Sequence, residues 1–166
     1  MTIKAIIFDL GNTLIEQNID FINTLDEMEL KLLPGVKELL RAISKKYHLG
    51  ILTNTKKSTS QHVRAALQNL SIADYFEAIV TSFDVGVEKP DPKMFHTLLL
   101  KLRANPGESL MVGNDPLQDI EGARKVGMRT AFIHKNKAYK NIDTDYHFSS
   151  FKDLAKILRH LEKDIG

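Results

Sequence analysis

The stretch KAIIFDLGNTL, residues 4–14, decides the fold prediction, because an apolar run there leads directly into a carboxylate and a tight turn. Residues 5–8 are short, apolar and rich in β-branched side chains, which is typical of a strand buried on both faces of a parallel sheet. Asp9 ends this run, and Gly11-Asn12 is a turn signal that lets backbone approach a ligand closely. Asp9 is therefore either a turn residue or a carboxylate nucleophile toward phosphorus.

Apolar, strand-like runs alternate with helical patterns along the rest of the chain. Further strands are predicted at residues 50–52, 78–80, 110–112 and 130–133. Helical faces, marked by apolar residues three and four positions apart, are predicted within residues 36–43, 63–70, 95–102, 120–126 and 151–161. This order predicts an α/β fold of three layers, in which a mostly parallel, Rossmann-like sheet carries helices on both faces. Ligands of such sheets bind beyond the carboxyl ends of the strands.

Length and composition narrow the class of protein further. The 166 residues suit one domain spanning 1–166, and a net charge of +2 is too small to indicate a nucleic-acid or membrane partner. The chain contains no cysteine, which excludes disulfides, thiolate metal sites and a cysteine nucleophile. Since no signal peptide and no run long enough for a membrane span is present, we expect a cytoplasmic protein.

Polar residues follow several of the predicted strands. Thr53 and Asn54 come after the second strand, where they could cradle a phosphate at a helix entry or serve as ordinary turn and cap residues. Lys89 lies in GVEKPDPKMF, residues 86–95, and its ammonium could offset charge during phosphoryl transfer, although a lone lysine is usually a surface residue.

The fourth strand is followed by GNDPLQD, residues 113–119, which holds two carboxylates. Asp115 and Asp119 are four residues apart and could face one way at a helix entry. Mg²⁺ is usually bound through one or two carboxylates, a substrate phosphate and water. Asp115-Pro116 also fits a helix N-cap followed by proline at the first helical position, and both interpretations can hold together.

The motifs IIFDLGNTL, ILTNT, EKPDPKMF and VGNDPLQDIEGA, in this order, resemble the four signature motifs of the haloacid dehalogenase-like hydrolase superfamily, in its phosphatase branch. The resemblance extends over nearly the whole chain. It implies that Asp9 attacks the phosphoryl group and that Mg²⁺ is bound by Asp9, Asp115 and the carbonyl of Gly11. It further implies the following supporting roles: Thr53 and the Asn54 amide hold phosphoryl oxygens, Lys89 steadies Asp9 and the phosphate, Asp119 holds Lys89 or the metal shell, and Thr13 and Asn114 assist nearby.

The sequence departs from the family pattern at two positions in these motifs. Phosphatases of the family usually carry a second Asp two residues after the nucleophile, and Gly11 occupies that position. Because general acid–base catalysis is worth about 10²–10⁴-fold, its loss should matter most for poor leaving groups; Glu16 or Asp20 could substitute. Asn114 stands where an acid often precedes the metal-binding Asp, which predicts weaker Mg²⁺ binding.

The interval between Asp9 and Thr53 is too short for the helical cap domain of the larger members of the family. Residues 14–33 remain as a short insert at the cap position, and apolar residues at 21, 25, 28 and 32 predict one helix in it. The open site predicts either a substrate large enough to cover it or an oligomer.

Two functions remain open from the sequence. The first is a Mg²⁺-dependent hydrolase of phosphate monoesters or related compounds, acting on a small molecule or a macromolecule through an aspartyl phosphate on Asp9. The second is a catalytically weak relative that binds a phosphorylated ligand or partner, which Gly11 and Asn114 favour.

Overall fold

A six-stranded sheet, with all paired strands parallel, forms the centre of the computed structural model. The structure describes residues 2–16, 22–135 and 137–163. The strands are β1 (Ala5–Phe8), β2 (His48–Thr53), β3 (Ala78–Thr81), β4 (Ser109–Gly113), β5 (Arg129–Ile133) and β6 (Tyr146–Phe148). The α-helices are α1 (Val36–Ile43), α2 (Ser60–Asn69), α3 (Ser82–Val85), α4 (Pro92–Leu102), α5 (Gly122–Lys125) and α6 (Phe151–Lys163). The predicted α/β fold with a parallel sheet is thus confirmed.

The two faces of β1 enter two different apolar clusters, which explains why its sequence is apolar without alternation. Ile6 and Phe8 belong to the cluster that also holds residues of α1, α2 and α6. Ala5 and Ile7 belong to the cluster on the other face, with residues of α4 and α5. Burying one such large apolar side chain stabilises a fold by about 1.5–3 kcal/mol, so both helical layers hold the central strand in place.

The strand order β3-β2-β1-β4-β5-β6 places the central β1 between β2 and β4. The chain builds the sheet outward from β1 in one direction through β2 and β3, and it then crosses to the other side of β1 for β4. The connections after β1 and β4 therefore diverge at the carboxyl edge of the sheet. In open α/β sheets such a switch point forms a crevice that binds ligands.

The sequence did not predict β6, and it only partly predicted the region after β4. Strand β6 is three residues long with an exposed histidine in the middle, so it lacks the apolar run by which the other strands are recognised. The predicted helix at 120–126 is a π-helix over Pro116–Glu121 that continues into α5. π-Helical turns are rare and often occur at functional sites.

The predicted helix in the insert is wrong for the residues that the structure describes. Within 22–33 the only helical turn is a 3₁₀ turn at Leu25–Glu27, and Phe21 lies outside the described residues. Thr24 and Met28, which flank this turn, have extended backbone. Further out, the Glu16 amide donates to the Lys31 carbonyl and the Leu33 amide donates to the Leu14 carbonyl. Leu25 is buried in the apolar cluster, so one of the apolar positions is satisfied by packing without a helix around it.

The described part of the insert lies beside the loop that follows β2. The Leu25 amide donates to Ser58 Oγ over 2.9 Å, and Lys57 Nζ donates to the Ile22 carbonyl over 2.8 Å. The insert therefore abuts one of the loops at the carboxyl edge of the sheet. In the part of the chain that the structure describes, no helix is long and apolar enough to cross a membrane.

Candidate active site

Asp9 lies immediately beyond β1, at the switch point of the sheet. Its amide donates to the Val112 carbonyl over 3.0 Å, which extends the pairing of β1 with β4 by one residue and fixes the Asp9 backbone. The Asp9 side chain is 12% exposed. Its two oxygens have different neighbours: Oδ1 accepts from Lys89 Nζ over 2.9 Å, and Oδ2 accepts from Thr13 Oγ1 over 3.3 Å.

Lys89 is buried, which excludes the ordinary surface lysine considered from the sequence. Its ammonium has three protons and three acceptors: Asp9 Oδ1 at 2.9 Å, the Leu52 carbonyl at 3.0 Å and Asp119 Oδ1 at 2.6 Å. Burial by itself lowers the pKa of Lys89, but the charges of Asp9 and Asp119 outweigh it and raise that pKa. The side chain is therefore a fixed cation between two carboxylates.

The backbone around Lys89 is positioned by the start of α4. Asp91 is the N-cap of this helix and accepts the Lys93 amide over 2.9 Å, and Pro92 occupies the first helical position. The motif KPDP thus places Lys89 just before the start of α4. From there the Lys89 side chain reaches Asp9 at the carboxyl edge of the sheet.

Asp119 is buried, and both of its oxygens are used within the site. While Oδ1 accepts from Lys89, Oδ2 accepts the amides of Asn114 and Asp115, each over 3.1 Å. Burial raises the pKa of Asp119 to about 6, and Lys89 acts in the opposite direction. Asp119 therefore contacts both Lys89 and the backbone that carries Asn114 and Asp115, and its role stays a prediction.

Gly113 makes the close approach of Asp119 possible. A Cβ atom at Gly113 would lie 2.4 Å from Asp119 Oδ2, which is far inside van der Waals contact. Since both residues are buried, neither can move away without disturbing the strand end. The glycine that ends β4 is therefore required by packing against the carboxylate six residues later.

Asp115 caps the helical turn that follows β4. Its Oδ1 accepts the amides of Leu117 over 3.0 Å and Gln118 over 2.8 Å. Within the described residues these are the hydrogen bonds of its carboxylate, so Oδ2 stays available to a ligand. The capping role expected from Asp115-Pro116 is confirmed, and it leaves room for the metal-binding role.

Thr13 links the loop after β1 to the loop after β4. Its hydroxyl lies 3.3 Å from Asp9 Oδ2 and 3.3 Å from Asn114 Oδ1, and its single proton can serve one of them at a time. The two oxygens are consequently no more than twice that distance apart. The turn that carries Thr13 is closed by the Asn12 amide, which donates to the Ile15 carbonyl over 2.8 Å.

The donor set at this crevice fits a hard cation. The oxygens are the carboxylates of Asp9 and Asp115, the amide oxygen of Asn114 and the half-buried backbone at Gly11. Among the described residues no group of three or more His, Cys, Asp or Glu side chains is placed to hold a metal ion. Mg²⁺ instead uses one or two carboxylates and completes its shell with water and phosphate.

Thr53 and Asn54 reach the same crevice from β2. Thr53 is the last residue of the strand and is buried. The side chain of Asn54 pairs with the Lys89 backbone: Oδ1 accepts the Lys89 amide over 2.8 Å, and Nδ2 donates to the Lys89 carbonyl over 3.2 Å. Because this side chain is occupied, any phosphate contact by Asn54 falls to its backbone amide.

Two residues of the site were missed in the sequence. Gln118 Oε1 accepts from Asn54 Nδ2 over 3.3 Å, which ties the loop after β4 to the loop after β2. Ser82 Oγ accepts the Thr55 amide over 2.8 Å and donates to the Thr55 carbonyl over 3.0 Å. A Gln three residues after Asp115 and a Ser after a strand are too common to be singled out by spacing.

The two positions proposed as substitutes for an acid at Gly11 are not both described. Glu16 is exposed and follows the turn of residues 10–15, and Asp20 lies outside the described residues.

The structure brings most of the predicted site residues to one edge of the sheet: Asp9, Thr13, Thr53, Asn54, Lys89, Asn114, Asp115 and Asp119. Their roles in a reaction stay predictions.

A Rossmann-like parallel sheet with a carboxylate just beyond β1, paired with a buried lysine, is consistent with the hydrolase class that the sequence motifs indicated. Residues 19–133 match the sequence model of the haloacid dehalogenase-like hydrolases, and the chain belongs to that family. The matched stretch contains the last three motifs and begins after Asp9.

Individual relatives agree with the family. The chain is 34% identical over 143 residues to a glyceraldehyde 3-phosphate phosphatase of Pyrococcus furiosus, covering 82% of this chain and 57% of the relative. It is 36% identical over 142 residues to a pyrimidine 5'-nucleotidase of Escherichia coli, covering 83% and 61%. The chain thus spans about three fifths of the length of these curated relatives.

Solved structures support the fold. A Listeria monocytogenes serotype 4b protein, itself described as uncharacterized, superimposes with a TM-score of 0.84 at 26% identity, covering 97% of this chain and 99% of that one. A haloacid dehalogenase-type phosphatase from Thermococcus onnurineus gives a TM-score of 0.79 at 24% identity, covering 94% and 98%. The similarity to the Thermococcus onnurineus structure, at 24% identity, shows the fold alone.

Proposed function

We propose that the chain is a Mg²⁺-dependent phosphatase that hydrolyses phosphate esters or related phosphorylated compounds through an aspartyl phosphate on Asp9. The observation that carries the proposal is the contact between Asp9 and Lys89, at 2.9 Å in a buried site. The ammonium contacts one oxygen of the Asp9 carboxylate and fixes its position beside a buried positive charge, and a carboxylate so placed can act as a nucleophile toward phosphorus. The Asp9 side chain as a whole keeps 12% of its surface exposed at the carboxyl edge of the sheet.

In the first step a carboxylate oxygen of Asp9 attacks phosphorus, and the bond from phosphorus to the leaving oxygen breaks with its electron pair. In the second step water attacks the phosphoryl group and the electron pair of the Asp9–phosphorus bond returns to the carboxylate. Lys89 and the amides near Thr53 and Asn54 offset the phosphoryl charge. Bound Mg²⁺, held by Asp9, Asp115 and the Gly11 carbonyl with Asn114 nearby, would neutralise charge and orient the displacement.

The relatives support hydrolysis of phosphorylated small molecules, since their names describe a sugar phosphate phosphatase, a nucleotidase and, at 33% identity over 133 residues, a pyrophosphatase of Bacillus cereus. They do not agree on one substrate. The proposal therefore covers the phosphoryl group and leaves the rest of the substrate open, so the substrate can be a small molecule or a macromolecule. An oligomer partner at the uncapped edge also stays part of the proposal.

A second candidate is a catalytically weak protein that binds a phosphorylated ligand or partner. The observations that favour it are the glycine at position 11 and the amide at Asn114, each of which replaces a carboxylate that the family pattern usually carries. It predicts binding of a phosphate analogue such as vanadate with negligible turnover.

The test is Mg²⁺-dependent phosphate release from p-nitrophenyl phosphate and acetyl phosphate, compared between the wild type and Asp9→Asn. Asp74→Asn is the matched control, because Asp74 is an exposed carboxylate in the 3₁₀ turn before β3. Release that requires both Mg²⁺ and Asp9, and survives in the control, supports the phosphatase. Release from folded protein no faster than with Asp9→Asn rejects it and favours the binding protein.

A further inference from the structure

The side chains that contact Asp9 bear on which leaving groups the site can expel. Within the described residues the Asp9 carboxylate contacts the Lys89 ammonium and the Thr13 hydroxyl. When a phosphate ester of an ordinary alcohol is cleaved, the alcohol is the leaving group. It would depart as an alkoxide, which is a very strong base, and its departure therefore requires a proton. A group that donates this proton must be an acid whose pKa is close to the working pH.

Neither contact of Asp9 can serve as that acid. Lys89 directs its three protons at Asp9, the Leu52 carbonyl and Asp119 over 2.6–3.0 Å, and its side chain is 1% exposed. A proton given up by Lys89 would leave two buried carboxylates without a cation. The Thr13 hydroxyl is a hydrogen-bond donor but much too weak an acid.

Two further carboxylates of the site that the structure describes, Asp119 and Asp115, are also committed. Asp119 is buried and receives Lys89 and two backbone amides, so it is turned into the protein. Asp115 accepts two amides at the start of the π-helix and belongs to the proposed metal site. Position 11, two residues after the nucleophile on the same turn, is glycine and offers no side chain.

We propose that the substrates of this site are phosphates whose leaving oxygen departs as a stable anion: acyl phosphates, aryl phosphates and phosphoric anhydrides. This inference rests on the proposed function. When Asp9 attacks, the phosphorus–oxygen bond breaks and the carboxylate, phenolate or phosphate leaves with the electron pair and takes no proton from the protein. The attacking water later gives its proton to solvent or to the released phosphate.

The acidities of the leaving groups set the size of the effect. A carboxylic acid has a pKa of about 4 and a phenol about 10, whereas an alcohol is close to the value of about 15.7 for water. General acid catalysis supplies about 10²–10⁴-fold. The rate constant kcat/KM should therefore fall steeply as the leaving-group pKa rises, and an alkyl phosphate should be the poorest substrate.

The experiment measures kcat/KM for acetyl phosphate, a series of substituted phenyl phosphates and glycerol phosphate, with Asp9→Asn as the background. In the wild type we expect a steep negative slope of log kcat/KM against leaving-group pKa. Gly11→Asp, which adds a carboxyl group on the nucleophile's turn, should raise hydrolysis of glycerol phosphate by about 10²–10⁴-fold and flatten the slope. Gly11→Asn, of similar size without an acid, should do neither.

A wild type that hydrolyses glycerol phosphate as fast as phenyl phosphates, in an Asp9-dependent manner, overturns this inference and leaves the phosphatase proposal intact. Loss of only the glycerol phosphate activity in Glu16→Gln or Asp20→Asn overturns it too, because it identifies the acid. If no substrate of the series, acetyl phosphate included, is turned over above the Asp9→Asn background, the proposed function itself fails. The slope of the wild type decides the question even where Gly11→Asp does not fold.

Discussion

Replacing Lys89 by methionine should destabilise the fold strongly at neutral pH and much less in mild acid. The ammonium lies 2.9 Å from Asp9 and 2.6 Å from Asp119, and the Lys89 and Asp119 side chains are each 1% exposed. Methionine retains most of the apolar stem but leaves two carboxylates without their cation. Removing one partner of a buried ion pair typically costs about 3–5 kcal/mol of unfolding free energy.

The pH dependence follows from the carboxylates. Without Lys89, the folded-state pKa of Asp119, already raised to about 6 by burial, loses the group that lowers it. A carboxyl whose pKa is higher in the folded state binds more protons there than in the unfolded chain, so stability increases as pH falls. Because the Asp119 pKa of the variant lies above the wild-type value of about 6, the deficit of Lys89→Met relative to the wild type should shrink as pH falls from neutral toward about 6, and it should change little below the pH at which Asp119 is protonated in both proteins.

The assay is urea unfolding at several pH values, with Lys93→Met as the control because Lys93 is exposed on the first turn of α4. Adding Asp119→Asn to Lys89→Met should recover part of the lost stability, since a neutral amide can still accept the two backbone amides. A deficit below about 1 kcal/mol at pH 7, which is the range of an exposed ion pair, would refute the buried cation. A deficit that does not change with pH would show that the unpaired carboxylate of Asp119 is not its cause.

Three further predictions concern the loops around this lysine. Asn54→Ala removes two hydrogen bonds to the Lys89 backbone and should cost about 1–3 kcal/mol in urea unfolding, at about 0.5–1.5 kcal/mol for each bond; kcat should fall with it. Gly113→Ala places a Cβ 2.4 Å from Asp119 Oδ2 and should destabilise by about 1–3 kcal/mol in the same assay. Mg²⁺ at about 100 times its Kd should stabilise the wild type by about 2.7 kcal/mol, measured as a rise in Tm. Asp115→Asn should abolish that rise while keeping the helix cap.

Each of these predictions has an outcome that contradicts it. Asn69→Ala, which removes a single long contact of 3.4 Å to the Asp26 carbonyl, is the control for Asn54; equal losses in both variants would deny Asn54 a special position. A Gly113→Ala protein as stable as the wild type would show that Asp119 can shift. An Asp115→Asn protein whose Tm still rises fully with Mg²⁺ would place the metal elsewhere.

The order of β1 to β5 with the helices between them, the family and the candidate residues were accessible from the sequence because they depend on local patterns. The continuous apolar run at Ala5–Phe8 requires a strand covered on both faces, and a parallel sheet provides that cover. The polar residues after the strands could be selected because carboxyl ends of parallel strands meet at one edge. The residue types at these positions also led to the predicted phosphatase chemistry, which stays a prediction.

Only the tertiary structure decided how these residues are arranged. Lys89 contacts a carboxylate 80 residues before it and another 30 residues after it, and no local pattern distinguishes such a lysine from a surface one. The pairing of Asn54 with the Lys89 backbone and the contact with Gln118 depend equally on the order of the strands in the sheet. The insert carried a helical spacing of apolar residues, yet Leu25 satisfies its burial from a 3₁₀ turn. A spacing states which side chains need burial, and long-range packing determines which backbone provides it.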